Sequence, residues 1–500
     1  MQKQATRLIA SVVMLLCVAS AGLWYWQPLQ AAPQRDQNIA VYIPVVHVRP
    51  PVAAGDLQVV HMGLYQSVQN PSNSVTLIAH KPALLRVHAQ ASADAAGTMA
   101  SVTLDAYRGN QYLGSVSVGP QVVTTQALVN DLDTTFNFDL PTDWLEGQLT
   151  LRATIDQADA LAETDEANNV KESTFTFRTV PALELTIVPI HYTDTVSGVT
   201  FSQPGHDPLS DWLLSAFPIS EIDVTIHEPF HFTGDLRQPG EWSKLLGQLT
   251  QLWTVEVGPG SSHIYFGLVP NSAPGGESWF VGGVSGLGWG GQRVSLGLDV
   301  GEATGETAGH EIGHNFNRSH APCGNPGGVD PNFPYPNAVI GVYGVDTSEE
   351  TLLDPNLTHD MMSYCGPEWV SDYTYEGLFR DQVQRSDRTG QKGEGLLIRA
   401  DIDATTLTLT PLPVMYLNQR FLPIEKAAKQ KVQLLDERGE VIGVYPAELY
   451  VAEEEGVSAR MILAFVPLPA GGTNVAKVQF LQDGVVMAER DAANDLAATK

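Results

Sequence analysis

The sequence predicts a multidomain protein: a central α+β domain, with a mixed sheet and a histidine-bearing helix, between two β-sandwich domains. Three observations predict it. The chain has 500 residues, enough for about three domains. Short alternating runs separated by polar turns fill both flanks. Between them, strand-like and helix-like segments alternate.

Residues 1–32 read as a signal peptide or an N-terminal anchor. Lys3 and Arg7 precede residues 8–26, which carry no charge. Ala19-Ser20-Ala21 offers one cleavage site and Gln30-Ala31-Ala32 a second. The apolar stretch is also just long enough to span a bilayer, so both readings stand, and membrane attachment is expected only through it. Cys17 follows Leu16 instead of the small residues of a lipoprotein site, and is read as part of the signal. The protein is therefore expected to be exported, whether periplasmic, cell-surface or secreted.

After a polar linker at 33–40, residues 41–179 read as the first sandwich, with runs such as Ser101-Val102-Thr103-Leu104-Asp105-Ala106-Tyr107. Residues 181–385 form the central domain. Segments 208–217 and 242–253 have helical spacing, and Pro208 suits a first helical position. Segments 183–189, 221–227 and 263–269 read as strands. Residues 322–355, rich in Pro, Gly and Asn, read as a weakly structured wrap around the cleft, and 372–382 as a closing helix. Residues 393–500 read as the second sandwich. Lys plus Arg total 28 against 56 Asp plus Glu, a net charge of −28. Bulk charge therefore excludes nucleic acid and anionic lipid as partners.

The chemistry concentrates at 310–320, His-Glu-Ile-Gly-His-Asn-Phe-Asn-Arg-Ser-His. His310 and His314 are one helical turn apart and leave the same face. Glu311 follows the first histidine and can take a proton from a metal-bound water. His320 can join them only if the helix stops between. Asn317, a residue tolerant of positive φ, is where the chain can turn.

This string resembles the zinc signature of the metzincin metalloproteases, H-E-x-x-H-x-x-G-x-x-H, with Asn317 at the family's Gly. Thr358-His359-Asp360-Met361-Met362-Ser363-Tyr364-Cys365 resembles the family's Met-turn. The resemblance spans about residues 181–385. It implies one zinc ion held by His310, His314 and His320, with Glu311 as general base. It implies Met362 as a structural floor under the metal and Tyr364 as a helper in binding the transition state. It also implies a substrate-pairing edge strand, placed within 281–298; a plain hairpin with glycine turns is the other reading. His263 and His359 are read as structural.

Residues 155–169, with Glu163-Thr164-Asp165-Glu166-Ala167-Asn168-Asn169, resemble an Ig-like module of bacterial surface proteins. Its acidic side chains are of the type that binds Ca²⁺; a solvated Asx-rich turn is the commoner use. Outside the signal, Cys323 and Cys365 both border the metal motif, and a disulfide is expected in an exported chain. It would close a loop of about 43 residues and stabilise by roughly 4 kcal/mol. The expected function is an exported zinc endopeptidase acting on protein or glycoprotein substrates. The alternative is a cell-surface adhesion or binding protein whose Ig-like domains carry the function.

Overall fold

The computed structural model describes residues 55–500 apart from 204, 273–277, 387–390, 404–405, 422–427, 455, 469–473 and 498–500. The signal or anchor at 1–32 and the linker at 33–40 lie outside the described residues. Among the described residues no helix is long and apolar enough to cross a membrane.

The first flank is a β-sandwich. One sheet joins Leu57–Tyr65, Leu84–Ala91 and Phe136–Asp139. The other runs Leu77–Ile78, Val170–Arg178, Gln148–Ile155, Met99–Arg108, Gln111–Val122. Alternation makes each strand two-faced. In Gln148–Ile155, Leu149, Leu151, Ala153 and Ile155 are buried and the residues between are not. These meet Val87, Leu104 and Phe136 in one core.

The central part is built on a seven-stranded mixed sheet. Leu183–Asp194, Ile264–Pro270 and Val294–Asp299 are parallel neighbours, and Gly286–Gly288 adds an antiparallel outer strand. The buried parallel strands are almost continuously apolar, as in Ile264–Pro270. Helix α1 is Ser210–Ala216, α2 is Pro239–Glu256, α3 is Thr304–Asn315 and α4 is Asp372–Ser386. Pro208 does not occupy the first position of α1. Asp207 instead accepts the N–H groups of Leu209 and Ser210, and the helix begins at Ser210.

The stretch 322–355 is more ordered than its composition suggests. Tyr343–Asp346 and Thr351–Leu353 pair with each other, and Val68–Gln69 of the first flank joins them as a third strand. Strands this short are masked by surrounding turn residues, so no alternation marks them.

The second flank is one continuous eight-stranded antiparallel sheet. Its long strand Val441–Glu454 pairs through residues 441–447 with Gln430–Leu435, and through 448–454 with Val457–Pro467. A strand that serves two halves of a sheet makes the corner of a folded-over β structure. One face encloses Leu396, Ile398, Val432, Ile462 and Phe480. The other contributes Ala452, Val457, Ala459 and Met461 to the same core as Leu249, Trp253 and Trp289 of the central part.

Candidate metal centre

Helix α3 carries a row of glycines on the side away from its histidines. A Cβ at Gly305 would overlap Trp212 Cβ, one at Gly309 the Trp212 ring, and one at Gly313 Met362 Sδ. Each interior glycine costs a helix about 1 kcal/mol. Tertiary packing therefore sets this helix: Trp212 and Met362 lie directly on its backbone. At its C-terminal end Asn315 ties it to the sheet, donating to the carbonyls of Trp289 and Val294 and accepting from Ser295.

Asn317 ends the helix with φ +58°. The Arg318 N–H reaches the Gly313 carbonyl at 3.0 Å, and the Asn317 N–H the His314 carbonyl at 2.9 Å. That pair of bonds is a Schellman motif with Asn at the left-handed position. The same turn brings the Arg318 carbonyl to His314 Nδ1 and swings His320 back toward α3.

The three histidines share one arrangement. His310 Nδ1 donates to the Met361 carbonyl at 2.7 Å, His314 Nδ1 to Arg318 at 2.8 Å and His320 Nδ1 to Gly327 at 2.5 Å. Fixing Nδ1–H on a carbonyl orients the ring and leaves Nε2 with its lone pair. All three Nε2 atoms converge on one atom, Glu454 Oε1, at 3.1, 2.9 and 2.7 Å. All three histidines and the glutamate are buried.

The electrostatics of this point are one-sided. With all three rings neutral, three lone pairs would face a carboxylate oxygen. Burial opposes charge on His310, but the Glu454 carboxylate, aided by Glu311 and Glu368, outweighs it and lifts the imidazole to about 10. Burial lowers His314. One extra proton relieves one contact; a cation at the centre relieves all of them. Three imidazoles and a carboxylate are a donor set that suits Zn²⁺. By that chemistry the residues fit a metal ion.

Glu311 sits beside the cluster. Burial pushes its carboxyl well above the usual range, and the Glu454 charge pushes it further. Its Oε2 is buried without a hydrogen-bond partner. A Cβ at Gly286 would overlap its carboxylate, so the outer strand's glycines let it approach. The cavity before it, about 230 Å³, is lined by His310, Glu311, Tyr364, Glu306, Glu368 and Glu454. Burial raises Glu368 to about 7.

The segment after the helix closes the site from below. Met362 is buried, and its N–H is held by Asp360 Oδ1 at 2.9 Å; Asp360 Oδ2 takes the Ser371 N–H at 3.0 Å. Tyr364 OH lies 3.4 Å from His320 Nε2 and donates to Glu454 Oε2. Cys323 and Cys365 are joined by a disulfide, with Cα atoms 5.7 Å apart. His263 bonds Thr186, and His359 bonds the Asn337 carbonyl; neither belongs to the cluster.

The structure thus brings together His310, Glu311, His314, His320, Met362 and Tyr364. It adds Glu454, which sequence reading left unassigned, and Asp360. Within 281–298, Gly286–Gly288 forms an antiparallel hairpin with Val294–Asp299 and lies at the rim of the sheet. The acidic turn at 163–169 spends its carboxylates on local donors. Glu163 takes the Leu57 N–H, and both Glu163 and Glu166 take Asn169 Nδ2.

The CARDB family model matches residues 84–173. Among solved structures, the chain is similar to the CARDB domain of a Pyrococcus furiosus protein, crystallised in complex with di-metal ions. Identity is 19%, covering 26% of this chain and 100% of that one, with a TM-score of 0.18. A solution structure of the same domain matches at 21% identity, covering 25% and 97%, with a TM-score of 0.16. Parabacteroides merdae β-glucuronidase matches at 12% identity over 45% of this chain and 26% of that one, with a TM-score of 0.16. A sequence comparison with curated proteins finds no match. The first flank therefore carries a CARDB domain, an Ig-like β-sandwich, over residues 84–173.

Proposed function

We propose that the chain is an exported zinc-dependent endopeptidase of the metzincin type, acting on protein or glycoprotein substrates. The observation that carries this reading is the convergence of His310, His314 and His320 Nε2 on one point, with each Nδ1 committed to a carbonyl. His310, His314 and His320 would hold one zinc ion, which supplies Lewis-acid polarisation of a carbonyl and acidifies a water. Glu311 takes a proton from the attacking water and delivers it to the leaving amine. Its buried, unpartnered Oε2 beside the cavity supports that role. Tyr364 donates a hydrogen bond to the oxyanion. The rim strand Gly286–Gly288 pairs with an extended substrate. Met362 supports the helix and ligates nothing. The Cys323–Cys365 bridge supports export to an oxidising compartment.

Metal analysis and peptide cleavage test the reading. About one zinc per chain is expected, lost when His310, His314 and His320 are all changed to Ala. Peptide-library cleavage is measured on intact protein and on a Glu454→Gln background. Glu311→Ala in that background keeps the metal and loses about 10²–10⁴ in turnover. Zinc retained by the triple-histidine variant sinks the reading. A second reading, a binding protein whose β domains carry the function, is favoured by Glu454 filling the reaction point. Metal-loaded Glu454→Gln protein that cleaves nothing would favour it.

A further inference from the structure

Glu454 reaches the histidine cluster from 134 residues away in sequence, off the tip of a hairpin in the second flank. We propose that Glu454 is the fourth ligand of the metal, and that the C-terminal hairpin thereby holds the enzyme latent until it is withdrawn. This rests on the reading of the histidines as a metal site.

Register is the first argument. Along the hairpin, Ala452, Val457, Ala459 and Met461 face the core shared with the central part. Glu454 occupies the same face, where an apolar residue belongs, and its side chain is only 6% exposed. A carboxylate so placed is costly unless paired. Glu453, the neighbour on the other face, lies near Arg460 and solvent.

Electron pairs are the second argument. Each Nδ1–H is spent on a carbonyl, so without a cation at least two of the three Nε2 atoms meet Glu454 Oε1 as electron-pair donors meeting a donor, even with His310 carrying an extra proton. A metal at that point turns the repulsion into a complete N₃O set, the four-coordinate arrangement of a closed zinc site. A catalytic site needs that fourth position open for water. The other oxygen, Oε2, takes the Tyr364 hydroxyl. One carboxylate therefore occupies both the water's place and the oxyanion donor.

The third argument is the cleft rim. The Gly290 N–H, just past the rim strand Gly286–Gly288, donates to the Val451 carbonyl at 2.9 Å. The hairpin thus takes a backbone donor at the edge where an extended substrate would pair. Cleft, metal and oxyanion donor are covered by the same element. Because that element is sealed in a shared core with Leu249 and Trp289, it does not open as a surface loop does.

The test uses full-length protein loaded with Co²⁺, as wild type, Glu454→Gln and Glu454→Ala. Two quantities are read: the visible spectrum titrated with acetohydroxamate, and the rate of cobalt loss to a chelator. The wild-type spectrum is expected to respond weakly. Both variants are expected to bind acetohydroxamate about 10²-fold more tightly, as when a rarely open state becomes the resident one. They are also expected to release cobalt faster, because a ligand is gone. A purely structural role moves neither pair of readouts in these opposite senses. Glu454→Gln keeps the shape of the side chain and carries the comparison if Glu454→Ala does not fold. Equal hydroxamate affinity in wild type and Glu454→Gln overturns the latency, while one bound cobalt in each leaves the histidine site standing. Failure of both proteins to bind cobalt overturns the metal reading itself.

Discussion

The two β flanks meet the central part in different ways. The first flank keeps most of its core to itself, around Leu104 and Leu151. It meets the central part through a smaller apolar patch, Val68, Val75 and Ile78, and through polar ties: the strand Val68–Gln69, the Trp369 indole on the Ser67 carbonyl, and Lys81 on the carbonyls of Leu214 and Ser215. None of its residues lines the cavity beside the histidines. The second flank shares its core with α2 and the mixed sheet, and puts Glu454 on the histidines. Similar strand-rich composition thus serves two purposes. A domain with a closed core behaves as an attachment, whereas a sheet that donates its face to a neighbour becomes part of that neighbour's site.

Matched core deletions test this contrast most strongly. Leu463→Ala in the shared core and Leu104→Ala in the first flank should each cost about 2–5 kcal/mol, from lost burial plus cavity. Denaturant midpoints read the stability. Only Leu463→Ala should also raise acetohydroxamate binding by the cobalt-loaded protein, because only that core holds the hairpin. An equal response in Leu104→Ala would erase the distinction between the flanks.

A smaller effect is expected inside the site. Asn317 sits at φ +58°, so Asn317→Gly should leave metal affinity nearly unchanged. Asn317→Val should weaken it, because a β-branched residue resists that conformation and His320 is misplaced. Zinc dissociation rates for both variants decide: equal losses would show that the side-chain amide matters more than the backbone.

The least effect at the metal is expected from Lys81, in the first flank. Burial lowers its amine from the ordinary 10.5 to about 7. The unfolded chain therefore binds more protons between about pH 7 and 10, and stability should rise with pH across that window. Urea midpoints at pH 7 and 9 should separate for wild type more than for Lys81→Met, with zinc retention alike in both proteins. A wild-type rise no greater than that of Lys81→Met would refute the burial argument.

The local parts of the site were legible in the sequence. His310, His314, Asn317 and His320 lie within a few residues of one another, and helical geometry links them. Cys323 follows at short range, and Met362 and Cys365 lie in the stretch 358–365 that resembles a Met-turn. Glu454 was not legible, because its partners are distant and a Glu in an acidic hairpin looks solvated. Its signal was present all the same. The alternation that buries Ala452 assigns Glu454, two residues further on, to the core face. The third strand made with Val68–Gln69 was hidden for another reason: a two-residue strand has no period to read.

The glycine row of α3 has one more consequence. A helix normally stands off its neighbours by a layer of side chains, and that layer absorbs small errors by changing rotamers. Along Gly305, Gly309 and Gly313 no such layer exists. A displacement of Trp212 or Met362 therefore passes undamped to the backbone that bears His310 and His314. Neither residue belongs to the ligand cluster, yet both set where the histidine rings stand. Small changes in their shape should detune the geometry of the centre while the fold around it persists.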